Sequence, residues 1–258
     1  MQRIHAFEFH EQPACPQVVR ESSVEALGNG LHRVGLYDAL APVFAEFCRR
    51  GGCDEILDLC SGSGEPMVAL LAALEHRGLP APSILLSDLF PNPAALAVPA
   101  RSHPGQIDWV ARPVDALRVP AAVDRAGRTL LTAFHHFAVP EARSILADAA
   151  AKGRAIFIAE AFVAQDPRTL AAVVPSLVRA GVVNPFVARR DRVWKLLVTY
   201  GVPEVPLCGL WDTVVSSLRG YAEVDLRTLV RGLGRHWEYH EVPFGSFGRA
   251  TVFFGIPV

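Results

Sequence analysis

Hydrophobic and polar positions change period several times along the chain, and each change marks a predicted element. Over 31–50 (LHRVGLYDALAPVFAEFCRR) the apolar residues Val34, Tyr37, Leu40, Phe44 and Phe47 recur at helical spacing, predicting an amphipathic helix ahead of the first strand. The apolar run Glu55–Leu59 carries Asp58 at its close, and the small-residue turn Cys60-Ser61-Gly62-Ser63-Gly64 follows. Helical periodicity resumes over Met67–His76. The order is strand, tight glycine turn, helix.

That unit repeats. Ser83–Ser87 reads as a second strand stopped at Asp88, and Ile107–Ala111 as a weaker third, followed by Pro113-Val114-Asp115. Arg128–Thr132 is a fourth strand with a helix over Glu141–Ala151 behind it, and Arg154–Ala159 a fifth, ending at Glu160. Strands alternating with helices imply a parallel sheet wound on both faces, with ligands at the carboxyl ends of its strands. After Phe162 the rhythm breaks: 163–222 holds helical segments interrupted by Pro and Gly and no convincing strand, as expected of an insertion over the active-site edge. A short helix (Val224–Leu233) and two strand-like runs, Arg235–Val242 and Arg249–Ile256, close the chain, joined by a glycine-rich linker of hairpin length, Pro243–Gly248.

The predicted fold class is therefore α/β, a doubly wound, seven-stranded, mostly parallel sheet. It carries an N-terminal helical element and a helical insertion after the fifth strand. The expected organisation is a helical lid element over 1–50, a nucleotide-type core over 51–162, an acceptor cap over 163–222, and a terminal helix with antiparallel strands over 223–258.

Composition narrows the function classes. At 258 residues and about half hydrophobic, the chain has material for a sizeable core, and a net charge of −1 gives no electrostatic case for nucleic acid. Five cysteines, none in a CxxC pair and none completing a zinc spacing, read as reduced thiols, so a cytoplasmic protein without a metal site is expected. The N-terminus MQRIHAFEFHEQ is charged and lacks the apolar core of a signal peptide. Gly201, Pro203, Glu204, Pro206 and Gly209 interrupt the longest apolar stretch, Leu196–Trp211, and disqualify it as a membrane span.

The strand ends carry the candidate chemistry. The segment ILDLCSGSGEP (Ile56–Pro66) resembles motif I of class I (Rossmann-like) S-adenosylmethionine-dependent methyltransferases, D/E-x-G-x-G-x-G, with Asp58, Gly62 and Gly64 in register and Cys60 in the first glycine slot. S-adenosylmethionine needs close backbone approach at its amino-acid end, a carboxylate for its ribose diol, and an apolar slot with one acceptor for its adenine. The resemblance places the backbone of Cys60, Ser61, Gly62 and Gly64 at the first, Asp88 with Leu89 at the second, and Val114 with Asp115 at the third. Thr132 and, from the preceding helix, Tyr37 complete the cofactor set. Taken singly, an aspartate ending a strand is as often a helix cap, and an aromatic on a helix face is more often core. A dehydrogenase reading needs a third glycine at position 67, where Met67 stands.

The fourth strand and its exit, RTLLTAFHHF, resemble motif IV of small-molecule methyltransferases, in which such a histidine pair meets the acceptor. On extended backbone His135 and His136 point opposite ways, so only one is expected to face the cleft as general base, the other being core. Glu160 can orient the acceptor or pair with a histidine; its alternative is a surface carboxylate. The chain further resembles a group of bacterial class I methyltransferases in its Phe7–Pro16 stretch (FE-x-x-E-Q-x-x-x-P) and its Leu210–Tyr221 segment (LWDTVVSSLRGY). Trp211 and Arg219 are the candidate substrate contacts of the latter, against the alternative of a buried Asp–Arg structural pair.

The reading these features support is methyl transfer to a small organic molecule at an oxygen, nitrogen or carbon nucleophile, leaving S-adenosylhomocysteine. No nucleic-acid or membrane partner is expected, and the apolar insertion offers a surface for a homodimer. Two alternatives share the fold: an enzyme using the bound cation for cyclisation or rearrangement, and a non-catalytic partner.

Overall fold

A computed structural model describes residues 3–12, 14–163, 166–187, 192–246 and 248–257. Residues 1, 2 and 13 of the predicted N-terminal element, 164–165 and 188–191 of the predicted insertion, Phe247 of the predicted linker and Val258 of the predicted terminal element lie outside the described residues. Along the chain run α1 (Gln17–Arg33), α2 (Leu36–Gly51), β1 (Glu55–Asp58), α3 (Glu65–His76), β2 (Ser83–Leu86), α4 (Pro93–Ser102), β3 (Ile107–Trp109) and β4 (Gly127–Leu131). Then follow α5 (Val139–Ala151), β5 (Ala155–Glu160), α6 (Pro167–Val187), α7 (Arg192–Leu196), α8 (Glu204–Arg219), α9 (Glu223–Leu229), β6 (His236–Phe244) and β7 (Gly248–Ile256). The chain divides into two compact units, one of residues 1–36, 161–220 and 243–250, the other of 37–160, 221–242 and 251–258.

The seven-stranded sheet, all but the 243–244 end of β6 and the 248–250 start of β7 within the second unit, has the order β3-β2-β1-β4-β5-β7-β6. β1 pairs in parallel with β2 and β4, β2 with β3, and β4 with β5, whereas β7 runs antiparallel to β5. This is the doubly wound, mostly parallel sheet expected from the alternation of strands and helices. Successive residues of β5 and β7 point to opposite faces, and each face has its own cover. On one, Phe157 and Phe254 meet Phe44 and Phe47 of α2, with ring centroids 5.1 Å apart for Phe44–Phe157 and 5.7 Å for Phe47–Phe254. On the other, Ile156, Ile158 and Phe253 share a buried cluster with Ala142, Ile145, Leu146 and Ala149 of α5. Phe44, Phe47, Phe157, Phe253 and Phe254 are each at most 1% exposed, so the aromatic positions of the pattern mark the core directly.

Two expectations need correction, and two helices have no predicted counterpart of their own. The single helix over 31–50 is two helices, broken where Gly35 takes a left-handed φ of +77° and Val34 closes α1. Of the five residues assigned to that helical face, Tyr37, Leu40, Phe44 and Phe47 are buried on α2 and Val34 lies in the break. The helical element expected over 1–50 contains α1 but the period gives it no bounds of its own, because its packing is tertiary: a Cβ on Gly30 would lie 2.5 Å from Cδ2 of Leu177 on α6, a closeness that a periodicity argument does not see. Helix α4 was also missed. Pro93 opens the helix behind Asn92, whose side chain accepts from the backbone N–H of Ala94 and Ala95. The predicted linker 243–248 shortens, as β6 extends to Phe244 and β7 begins at Gly248.

In the first unit α1, α6, α7 and α8 pack together, and the described part of 163–222 is helical, with a π-helical turn at Leu197–Gly201. Among the described residues no helix is long and apolar enough to cross a membrane.

Candidate active site

The carboxyl ends of β1, β2, β4 and β5 gather most of the singled-out residues within the second unit. Past β1 the chain makes its tight turn with Cys60 at φ +57°, Gly62 at +57° and Gly64 at +79°. Gly64 caps α3, its N–H donating to the Ser61 carbonyl over 2.8 Å. A Cβ there would lie 2.7 Å from Cδ1 of Leu86, so this position needs glycine on two counts. Nothing within 4 Å would meet a Cβ on Gly62, so the middle of the turn presents bare, open backbone.

Asp58 acts on this turn from beneath. Its carboxylate accepts from the Thr129 hydroxyl at 2.6 Å and the Ser61 hydroxyl at 2.7 Å. Ser87 joins the same lattice, its hydroxyl donating to the Asp58 carbonyl at 2.8 Å and its N–H to Ser61 Oγ at 3.1 Å. Burial pushes the Asp58 carboxyl up to about 6, against the pull of the Thr129 and Ser61 hydroxyls and with the charge of Asp88 adding to it. Sequence reasoning missed Thr129 and Ser87; a hydroxyl side chain near the end of an otherwise apolar strand was the available signal.

Asp88 closes the turn from the β2 side. One oxygen accepts from Gly62 N–H at 2.9 Å and the other from Phe90 N–H at 2.8 Å. Each oxygen keeps a second lone pair. Leu89 is exposed, and Phe90 after it more so, at 84%. Val114 is buried and its N–H donates to the Asp88 carbonyl at 2.8 Å, which ties the chain beyond β3 to the β2 terminus. Exposed Asp115 accepts from Leu117 N–H. Burial pushes the Cys60 thiol up to about 12, and Asp88, Asp58 and Asp115 follow in that order as further causes, so all three carboxylates act on the one turn.

Tyr37 on α2 faces the same region. It is buried, burial raises its phenol with Glu65 and Asp58 contributing, and its hydroxyl has no hydrogen-bond partner among the described residues. Cys60 and Thr132 are the two non-glycine residues at positive φ among the described residues, and Thr132, at +53° directly after β4, is β-branched. Strain of this kind concentrates at ligand sites. Open glycine backbone, a carboxylate with spare lone pairs, a buried valine tied to that carboxylate's residue and an orphaned buried phenol together fit S-adenosylmethionine.

Beyond Thr132 the pair His135–His136 corrects a further expectation. Residues 134–136 form a 3-10 turn, so the alternation argued for extended backbone does not apply. The two rings lie against each other instead, centroids 4.1 Å apart and tilted by 36°. His135 is buried and meets Glu160 at the end of β5 twice: its Nδ1 lies 2.7 Å from one carboxylate oxygen, and its backbone N–H donates to the other at 3.0 Å. Burial alone would raise the Glu160 carboxyl; the charge and both hydrogen bonds of His135, with the charge of His136, hold it below the ordinary glutamate value. An ionised carboxylate only accepts, so His135 Nδ1 carries a proton towards Glu160.

Trp211 and Arg219 belong to the first unit. Arg219 is 4% exposed and its Nη1 lies 3.0 Å from Glu8 and 2.9 Å from Glu11. Its partners are thus N-terminal glutamates; Asp212, the partner of the alternative reading, takes His10 at 2.9 Å. Trp211 donates its indole N–H to the Phe7 carbonyl at 2.9 Å.

No family model and no curated protein matches this chain. Among solved structures it is similar to an O-methyltransferase from neocarzinostatin biosynthesis, in complex with S-adenosyl-L-homocysteine and 1,4-dihydroxy-2-naphthoic acid: 16% identity, 94% of this chain and 59% of that one, TM-score 0.54. It is similar too to the plantazolicin methyltransferase in complex with S-adenosyl-L-homocysteine, at 8% identity over 97% of this chain and 93% of that one, TM-score 0.52. Human N-acetylserotonin methyltransferase in complex with S-adenosylmethionine matches at 13% identity over 99% of this chain and 64% of that one, TM-score 0.52. The chain thus spans about three fifths of the first of these proteins. At such identities the likeness speaks for the fold, and the fold is that of the class I S-adenosylmethionine-dependent methyltransferases.

Proposed function

We propose that this protein is an enzyme transferring a methyl group from S-adenosylmethionine to a hydroxyl of a small organic acceptor, with His135 as general base. The His135–Glu160 pair carries the reading: a buried carboxylate bonded to both the ring Nδ1 and the backbone N–H orients an imidazole at the strand ends, as a general base for a hydroxyl requires. Bound S-adenosylmethionine supplies an electrophilic methyl group. The protein's part is to hold cofactor and acceptor in line, an effect worth roughly 7–11 kcal/mol in favourable cases.

In this reading the backbone of 60–64 receives the amino-acid end, Asp88 the ribose diol, and Val114 with Asp115 the adenine. Tyr37 donates its hydroxyl to the cofactor. His136 supports the His135 ring by lying against it. An acceptor without a large charge suits the near-zero net charge of the chain, which argues against nucleic acid. A stripe of exposed apolar residues in the insertion, including Val193, Trp194, Leu197 and Val202, favours a homodimer.

Calorimetry with S-adenosylmethionine and S-adenosylhomocysteine tests the cofactor directly. Wild type binds both at micromolar concentration, and Asp88→Ala, which loses the diol acceptor and unties Gly62 and Phe90, binds at least about tenfold more weakly. Folded wild type binding neither ligand would sink the proposal.

A further inference from the structure

The two sequence segments that the cofactor site leaves unexplained meet in the first unit. Residues 7–12 lie along α8, and four side chains fasten them. Asp212 accepts from the N–H of Phe9 at 2.6 Å and of His10 at 3.2 Å, and from His10 Nδ1 at 2.9 Å. Arg219 holds Glu8 and Glu11, and Ser216 donates to Glu8 at 3.1 Å. From α1, Arg20 donates to the carbonyls of His10 and Gln12 at 2.7 and 2.8 Å.

The burial here is inverted. Glu8, Asp212 and Arg219 are 0%, 7% and 4% exposed, while Phe7, Phe9 and Trp211 stand 48%, 38% and 42% exposed. Burying charges is costly in desolvation and returns little net stability, whereas it fixes geometry well. What the buried ion pairs fix is an aromatic surface. Phe7 and Trp211 lie 5.6 Å apart at 35°, Phe9 meets Trp211 at 6.1 Å and Phe7 at 5.2 Å, both edge-on, and the Trp211 indole is pinned by its bond to Phe7.

We propose that Phe7, Phe9 and Trp211 form a binding platform for a planar aromatic small molecule. All three rings touch one another and each stays more than a third exposed, which leaves a continuous aromatic surface for a planar ring to stack on. Rigid aromatics lose little rotamer freedom on binding, and the ion pairs have already ordered the segment that carries them. The platform lies within one unit and its test reads binding alone, so it stands or falls apart from the methyl-transfer proposal.

The probe is 2-naphthol, titrated calorimetrically into the full chain, with decahydro-2-naphthol as a saturated control of the same outline. Wild type binds 2-naphthol at least about tenfold more tightly than the saturated alcohol, and Trp211→Ala loses about tenfold of that affinity. Trp211→Phe keeps a ring and stays within about threefold of wild type, and Phe7→Ala supplies a second truncation should Trp211→Ala fail to fold. Wild type that binds neither alcohol, or binds both alike, overturns the proposal. So does a folded Trp211→Ala or Phe7→Ala variant that binds 2-naphthol as wild type does.

Discussion

Glu160→Gln isolates what the buried carboxylate does for His135. The substitution keeps the side-chain shape and removes the charge. Glu160 accepts twice from one residue, through Nδ1 at 2.7 Å and the backbone N–H at 3.0 Å. A glutamine carbonyl can accept only at one of these places, and its amide group confronts the other donor. Losing one charge-assisted hydrogen bond and leaving a buried donor opposed costs about 2–4 kcal/mol at neutral pH. In a chain of this size that lowers Tm by about 5–15 °C.

The pH dependence of that loss has a definite sign. The Glu160 carboxyl lies below its ordinary 4.5 in the folded protein, so its stabilisation is complete above the unfolded value and disappears as pH falls through the folded one. The Tm gap between wild type and variant therefore closes in acid. On the rate, the variant loses the carboxylate that orients the imidazole, and single-turnover methylation at saturating cofactor falls by about 10²-fold or more. S-adenosylmethionine affinity, which the proposal assigns to the turn at 60–64 and Asp88, stays within about threefold. A variant whose Tm drops as stated while its single-turnover rate holds within threefold would show that the pair is structural and refute the base assignment.

Two further perturbations bear on the glycine turn and its surroundings. Asp58 is raised from 3.8 to about 6 by burial, so it favours the folded state below pH 4 and that contribution is lost as pH rises through 6, a difference of about 3 kcal/mol. Asp58→Asn flattens the dependence of Tm on pH between 4 and 7; an unchanged slope would place the titration elsewhere. Thr132→Gly relieves a β-branched residue at φ +53°, and after the extra chain entropy of glycine it stabilises by about 1 kcal/mol, or 2–4 °C in Tm. A lower Tm would mean that the Thr132 hydroxyl bond to the Leu131 carbonyl outweighs the strain.

What could be read from sequence is what local physics decides. Alternating short apolar runs and helical periods announce a parallel sheet wound on both faces, since each pattern follows from the pitch of its own element. The small-residue turn after β1 is legible because a left-handed φ with close approach selects Gly62 and Gly64, and the aspartates at strand ends are legible as positions. Phe44 and Phe47 were recognisable as core by spacing alone.

Tertiary structure decided whatever depends on residues far apart in the chain. Helix α1 exists because Gly30 lets α6 come close, a fact about two segments that neither contains. Asp58 turns inward because Thr129 on a neighbouring strand offers it a hydroxyl. His135 finds its carboxylate 25 residues away, and both histidines share one 3-10 turn because Glu160 accepts from the backbone of that turn as well as from the ring. The N-terminal and late segments, each opaque alone, explain one another once Asp212 and Arg219 are seen to hold residues 8–11. Pitch, turn geometry and side-chain size act over a few residues and leave a trace in sequence. Which buried charge meets which partner depends on three-dimensional proximity, for which a single sequence carries no local signal.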